Sequence, residues 1–386
     1  MVNRPFWLEK IRKAWSHRPI LWLTGLRRAG KTSLVRMIPD IEYFDCELPR
    51  DRQTMEDPQG FLDRLRGKTI VLDEIHRLRR PAELLKIAAD HYPDTRVLAT
   101  GSSTLAATQK FRDSLAGRKT ELWLTPMNAA DLEAFEKKDL APRFLKGGLP
   151  PFFLAASSSG RDHQEWMDAF WAKDIQELFR VAQRDPFMKF LELLLVNSGG
   201  IFEATRYSRP CEVDRKTILN YLRSLEITHV AHVLRPFTSR KTSEIIAAPK
   251  VYGFDTGFIC YYRGWNSLRP ADYGFLWEHF VLNEIQSCLQ TRRVHYWRDK
   301  RGHEVDFVLL RRDGRPIAIE CKWAWREFEP KSFRVFAASY PKTDFYIVSH
   351  DVSRPFTRKV GDVHIEFLGL SDLIRKLESV EDLLSL

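Results

Sequence analysis

The first regular pattern in the chain is an apolar run, ILWLTG over Ile20–Gly25, which gives way to a glycine-bearing stretch and then to KTSLVRMI, where apolar positions recur with helical spacing. It predicts a strand, a loop and a helix. Two more short apolar runs, within KTIVLDEIH (68–76) and TRVLATGSST (95–104), follow at distances that leave room for crossover helices. That rhythm predicts a parallel α/β sheet.

Past Pro126 the periodicity turns helical, through NAADLEAFEK and, beyond the KGGLPP punctuation at 146–151, HQEWMDAFWAKDIQELFRVAQ. Trp166 and Phe170 share one face of that helix, a spacing that predicts core packing rather than a base-stacking platform. Residues 185–265 read as helix, short helix, helix and two β-rich pieces. From Tyr273 a helix, GFLWEHFVLNEIQSCLQ, leads into a strand-rich tail that ends in LSDLIRKLESV. The expected domains are 1–127, 128–184, 185–265 and 266–386.

A chain of 386 residues is too long for one ordinary core. Its 44% hydrophobic and 29% charged content excludes a disordered chain. Lys and Arg number 61 against 51 Asp and Glu, a net charge of +10 that fits either a polyanionic partner such as nucleic acid or a solvated basic surface. The five cysteines are scattered without a CxxC pair, which points to reduced thiols and away from a disulfide frame or a zinc site. No uncharged apolar run approaches the roughly 20 residues of a membrane span, so the expectation is a cytoplasmic protein without a membrane partner.

GLRRAGKT, Gly25–Thr32, matches G-x-x-x-x-G-K-[ST] between a predicted strand and a predicted helix, the context this phosphate-binding P-loop requires. Its glycines let backbone N–H groups curl around phosphate oxygens, and the helix N-terminus adds partial positive charge. Gly25, Arg28, Ala29, Gly30, Lys31, Thr32 and Ser33 are the expected nucleotide contacts, with Lys31 reaching the β- and γ-phosphates of ATP and Thr32 coordinating Mg²⁺. The next apolar strand ends in VLDE. There Asp73 is placed to hold Mg²⁺ through water, and Glu74 to polarise the attacking water.

The third strand ends in Thr100, Ser102 and Ser103, hydroxyls that either sense the γ-phosphate or cap the following helix. Arg27 and Arg28 either add charge at the phosphates or face solvent or a neighbouring subunit. Arg118, in SLAGRK, is the candidate arginine finger, a role that demands a second subunit beside the nucleotide.

GLRRAGKT, IVLDEIH, LATGSST and SLAGRK, in this order, resemble a prokaryotic family of AAA-type ATPases, and the resemblance continues through WAKDIQELF, VYGFDTG and the C-terminal tail. It implies an ATPase core with a helical lid, fused to a winged helix and to a C-terminal domain that looks like restriction-endonuclease-type nucleases. The sequence departs from its relatives at GGLPPFF, where an acidic residue commonly follows the turn.

In the middle segment Asp214 is placed to cap a helix with Ile218, Leu222 and Leu225 on one face and Arg215, Lys216, Asn220 and Arg223 on the other. Two β-rich pieces then flank the basic tip TSRKTSE, headed by Arg240 and Lys241. This predicts a winged helix-turn-helix, with a recognition helix for the major groove and a wing for phosphate, or a module that only packs between domains or subunits.

GHEVDFVLL (302–310) and RPIAIECKW (315–323) are predicted strands of a hairpin turned at Asp313-Gly314. Alternation puts Glu320 and Lys322 on one face, and hairpin pairing brings Asp306 beside Glu320. Two converging carboxylates repel unless a hard cation such as Mg²⁺ or Mn²⁺ lies between them, and Lys322 can stabilise charge developing on a phosphodiester. Asp306 with Glu320-x-Lys322 is the D-(x)n-E-x-K signature of the restriction-endonuclease-like fold, and Glu278 on the preceding helix fits the acid that often completes the site. A salt-bridge cluster at a strand end is the other reading. His295, Tyr296, Trp297 and Arg298 are expected along the groove beside it, and His303 at the surface.

The expected protein is an α/β multidomain, ATP-hydrolysing, DNA-binding machine. It would act as a ring of subunits, six being the expected number, on duplex or branched DNA. The rival expectation is an ATP-regulated signalling or defence switch with a non-catalytic C-terminal interaction module.

Overall fold

A computed structural model of the chain describes residues 2–101, 113, 115–156, 159–176, 179, 181, 183–238 and 248–379. They form two compact units. Unit 1 takes Met1–Asp139, Gly148–Arg184 and Arg223–Val230; unit 2 takes Leu140–Gly147, Asp185–Leu222 and Ala231–Leu386.

Unit 1 is built on five parallel strands, β1 (Ile20–Gly25), β2 (Ile41–Asp45), β3 (Thr69–Asp73), β4 (Arg96–Thr100) and β5 (Lys119–Leu124), in the order β2-β3-β4-β1-β5. β1 is an interior strand between β4 and β5, buried along nearly its whole length, which is why it reads as a continuous apolar run. Trp22, Ile70, Leu72, Val97 and Ala99 join Phe61, Leu84 and Leu85 in one buried cluster that fixes the strands. Because the sheet is parallel, Gly25, Asp73 and Thr100 all end at its carboxyl edge, and the chain order reverses around β1, where open α/β sheets place their ligands.

The predicted long helix after the KGGLPP turn is two pieces. An α-helix, Gly160–Phe170, starts at a Ser159/Asp162 capping box and passes into a π-helical turn, Trp171–Gln176. The intervening helix Leu140–Lys146 belongs to unit 2.

Unit 2 holds a nine-stranded mixed sheet. Its strands are β6 (Gly200–Ile201), β7 (Ala231–Pro236), β8 (Lys250–Gly253), β9 (His295–Arg298), β10 (Glu304–Leu310), β11 (Pro316–Lys322), β12 (Asp344–Ser349), β13 (Phe356–Val360) and β14 (Val363–Leu368). Helices Arg184–Val196 and Ala204–Ser208 and the first part of Arg215–Ile227, as far as Leu222, precede β7 and β8, the rest of that last helix belonging to unit 1, and a long helix, Asp272–Leu289, precedes β9. β7 pairs in parallel with β9, Arg235 with His295 and Pro236 with Tyr296, so segments that look separate along the chain share one sheet. Local patterning cannot report a pairing between residues about sixty positions apart.

Candidate functional site

The phosphate loop takes the conformation its glycines allow. Gly25 has φ 139° and a Cβ there would lie 2.5 Å from the Leu124 carbonyl oxygen, so only glycine fits. Gly30, at φ 95°, caps the helix Lys31–Val35. Arg28 is left-handed at φ 64°, and the Ala29 carbonyl accepts a bond from buried Arg4, which is itself locked to Asp131 at 2.6 and 2.8 Å.

Gly25, Arg28, Gly30, Lys31, Thr32 and Ser33 line one cavity of about 370 Å³, together with Glu74. Lys31 Nζ donates to the carbonyls of Gly25 and Leu26 at 2.9 and 3.0 Å. Burial pushes its pKa down, against the opposing pull of Glu74 and Asp174. For Glu74, burial acts upward but the adjacent His76 imidazole and the charge of Lys31 outweigh it, and its pKa is lowered. His76 Nδ1 lies 3.1 Å from Glu74 Oε2. Glu74 itself is left-handed, φ 54°, a strained conformation at the end of β3 that is common where a side chain must be aimed.

Two expected contacts lie behind the wall. Ala29 and Asp73 are buried and are not part of the cavity surface. Asp73 accepts a hydrogen bond from Tyr43 at 2.7 Å and another from Thr100, whose oxygen also takes the Glu74 backbone N–H at 3.0 Å. Thr100 therefore ties β4 to the acidic end of β3. Ser102 lies outside the described residues. Arg118 donates twice to Asp90, at 2.6 and 3.1 Å, and does not line the cavity.

The sequence reading missed the opposite wall. Trp166 and Phe170 are buried, stacked at 5.3 Å, and form part of it, with Trp166 Nε1 donating to the Arg27 carbonyl at 3.1 Å. Arg27 Nε donates to Asp174 Oδ2 at 2.8 Å, and Thr228 and Val230 also line the cavity. Burial raises the pKa of Asp174 although the Arg27 charge opposes it. Asp174 lies in WAKDIQELF, one of the stretches that carried the family resemblance, and the structure puts it in a π-helical turn, a feature that clusters at functional positions.

The second candidate site is in unit 2. β10 and β11 pair with Phe307 opposite Ile319, and Asp306 follows next in register, its Oδ2 accepting the Cys321 backbone N–H at 2.8 Å. Lys322 Nζ lies 2.9 Å from Glu320 Oε1. Burial, then the charges of Glu320 and Glu278, hold the Asp306 pKa well above the usual carboxylate range. Glu320 is raised too, chiefly by burial, with Lys322 opposing.

Glu278, expected as a third metal ligand, is instead taken by protein cations and hydroxyls. Lys250 Nζ stands 3.1 Å from Glu278 and 2.6 Å from Glu304, and the Tyr252 hydroxyl donates to Glu278. Burial alone would lower the Lys250 pKa, but its acidic neighbours raise it. Burial raises and Lys250 lowers the Glu278 pKa, and the lowering prevails. Among the described residues no group of three or more His, Cys, Asp or Glu side chains is arranged to hold a metal ion. Lys250 carried no sequence signal, because its partners are 28 or more positions away.

On the helix Arg215–Ile227, Arg215, Lys216, Asn220 and Arg223 are exposed while Ile218, Leu222 and Leu225 are buried, and Asp214 Oδ1 accepts the Thr217 N–H at 2.7 Å. Arg240 and Lys241 lie outside the described residues. His303, expected as a plain surface residue, is half-buried with Nδ1 2.7 Å from Asp299.

Residues 17–133 match the AAA domain family model, residues 137–269 match a domain of unknown function (DUF8612), and residues 273–367 match another (DUF4143). The chain thus carries a P-loop AAA ATPase domain followed by two domains of unknown function. The uncharacterized protein Rv2008c of Mycobacterium tuberculosis is 29% identical over 335 residues, covering 83% of this chain and 74% of that protein, and Mb2031c of Mycobacterium bovis matches to the same extent. Among solved structures, similarity is found to the Aeropyrum pernix ORC1 protein in complex with DNA, with 14% identity, TM-score 0.29, and 69% of this chain against 93% of that one covered. AMPPCP-bound DnaA from Aquifex aeolicus matches with 14% identity, TM-score 0.25, and coverages of 56% and 86%. No helix among the described residues is long and apolar enough to cross a membrane.

Proposed function

We propose that the protein hydrolyses ATP at the Gly25–Thr32 loop and uses the cycle to act on DNA. The observation that carries the first half is the convergence of Lys31, Thr32 and Glu74 on one cavity at the carboxyl edge of β1 and β3. The loop's N–H groups and Lys31 would bind the phosphates, and Glu74, its charge favoured by His76, would accept a proton from the attacking water. Oxygen donors suit Mg²⁺: the Thr32 hydroxyl would hold it in the cavity, with Asp73 supporting from behind through its unused lone pairs. Bound there, the ion would neutralise charge on the β- and γ-phosphates. Arg118 would act in trans, in a ring of six subunits, by exchanging Asp90 for a neighbour's nucleotide. The test is steady-state ATP turnover by wild type and Glu74→Gln; equal rates would end the assignment.

The DNA half is supported by the +10 charge and by an amphipathic helix with Arg215, Lys216, Asn220 and Arg223 outward, which reads as the recognition helix of a winged helix-turn-helix in residues 185–265. In this reading the other segments are the ATPase core 1–127, a lid 128–184 and a nuclease-like domain 266–386.

For that last segment the D-(x)n-E-x-K arrangement supports a restriction-endonuclease-like fold, on duplex or branched DNA. Lys250 pairs with Glu278 and Glu304 and Lys322 with Glu320 Oε1, while Glu320 Oε2 is buried without a hydrogen-bond partner and Asp306 Oδ2 accepts the Cys321 N–H, so a cation between Asp306 and Glu320 would sit beside two lysines. The capture of Glu278 by Lys250 favours a domain that grips rather than cuts, and it also favours the rival reading of a switch whose C-terminal domain is an interaction module. A cleavage gel on linear, branched and single-stranded DNA with Mg²⁺ or Mn²⁺ separates cutting from gripping, and DNA-stimulated ATPase activity separates the motor from the switch.

A further inference from the structure

The nucleotide cavity has a wall drawn from far down the chain. Thr228 and Val230 face the same space as Lys31, and the residue between them, His229, is buried. His229 shares a hydrogen bond of 3.0 Å between Nε2 and Thr24 Oγ1, with Thr24 fully buried at the last position before Gly25. Its ring also lies 5.0 Å from that of Trp123, the β5 residue paired with Thr24. The ring therefore rests on the strand pair from which the phosphate loop springs.

The backbone shows that this placement is held at a cost. His229 has φ 62°, and Val230 N–H bonds back to the Leu225 carbonyl at 2.9 Å, closing the C-terminus of the helix Arg215–Ile227. That is the helix-ending turn in which glycine is the unstrained choice. A side chain there is strained. Glycine would relieve the strain but would supply no ring for Thr24. Thr228 is fixed as well, its hydroxyl donating to the Ser224 carbonyl at 2.8 Å.

We propose that Thr228–Val230 is part of the nucleoside triphosphate site and that His229 is a positioning residue: through Thr24 it sets the phosphate loop, and through the helix it ends it makes nucleotide occupancy and that helix report on each other. The inference rests on the reading of Gly25–Thr32 as an ATP loop. Loop and helix end meet at the buried Thr24–His229 hydrogen bond, so nucleotide that orders the first also orders the second, and by linkage a partner that shifts the helix shifts nucleotide affinity by the same factor. The helix bears Arg215, Lys216, Asn220 and Arg223, so the partner that fits is a polyanion.

The test uses the full chain, hydrogen exchange with and without saturating Mg²⁺ and a non-hydrolysable ATP analogue, and affinity for a fluorescent ATP analogue. In wild type, exchange should slow in both 25–33 and 223–230. His229→Gly removes the ring, so, in a variant whose fold is checked by circular dichroism, affinity should fall about 5- to 100-fold and the protection of 223–230 disappear. His229→Gln keeps a side chain able to hydrogen-bond Thr24 and should restore most of the affinity. Protection of 25–33 with none in 223–230, or wild-type affinity in His229→Gly, would overturn the proposal and leave the ATP reading intact. Protection of neither segment would overturn both.

Discussion

Arg27 of the phosphate loop and Asp174 of the π-helical turn are joined by an ion pair, Nε to Oδ2, at 2.8 Å, with both side chains only partly exposed. A loop built to receive phosphate thus holds one of its own cations on an internal carboxylate. That carboxylate also lies close enough to Lys31 to influence its protonation.

Asp174→Asn should therefore release Arg27 toward the phosphates and remove a negative charge from the cavity. The expected result is tighter binding of ATP, by several-fold, whereas Arg27→Ala weakens it. The two effects should be non-additive, because side chains in direct contact couple by about 0.5–3 kcal/mol. Titration of a fluorescent ATP analogue against both single variants and the double variant reads the coupling.

Lys31→Ala should abolish detectable nucleotide binding. Glu74→Gln should retain it and lose about 100-fold or more in turnover, since it removes the general base and leaves the cradle. Equilibrium binding beside single-turnover hydrolysis distinguishes the two.

Lys250→Met should leave Glu278 and Glu304 buried without their shared cation. Stripping one partner from a buried pair costs about 3 kcal/mol or more. Chemical denaturation should show that loss, and Glu278→Gln added to Lys250→Met should recover part of it. Appearance of Mn²⁺ binding in a still-folded Lys250→Met protein would mean that the lysine holds a metal's place.

Asp306 gives a pH signature. Its folded pKa is raised by burial and by Glu320, so its contribution to stability is full below the ordinary aspartate value near about 4 and is lost as pH rises through the raised value. Asp306→Asn removes that loss. The melting temperature of the variant relative to wild type should rise between about pH 4 and pH 8, as read by thermal scans across that range.

If the helix Arg215–Ile227 contacts DNA phosphates, affinity should fall by about 10³-fold between roughly 50 and 200 mM salt, and Lys216→Ala should reduce the slope of log affinity against log salt by about 1. A salt-independent interaction would favour the switch.

Much was legible wherever function depends on neighbours in sequence. Gly25–Thr32 lies between a strand and a helix in seven consecutive bonds, so glycine positions, Lys31 and Thr32 declare themselves, and Asp73-Glu74 follows as the polar end of an apolar strand. The hairpin of β10 and β11 was equally open, because alternation and an Asp313-Gly314 turn fix which side chains share a face. Trp166 and Phe170 were read correctly as packing, but their helical spacing could not tell that they pack as a cavity wall.

What the sequence by itself determined is the set of local motifs and the order in which they come. What only the tertiary structure decided is who answers them: Asp174 for Arg27 across 147 positions, His229 for Thr24 across 205, and Lys250 for Glu278 across 28. Periodicity encodes which face of an element is buried, whereas partner choice and protonation depend on distance and desolvation, which exist only once the chain has closed on itself.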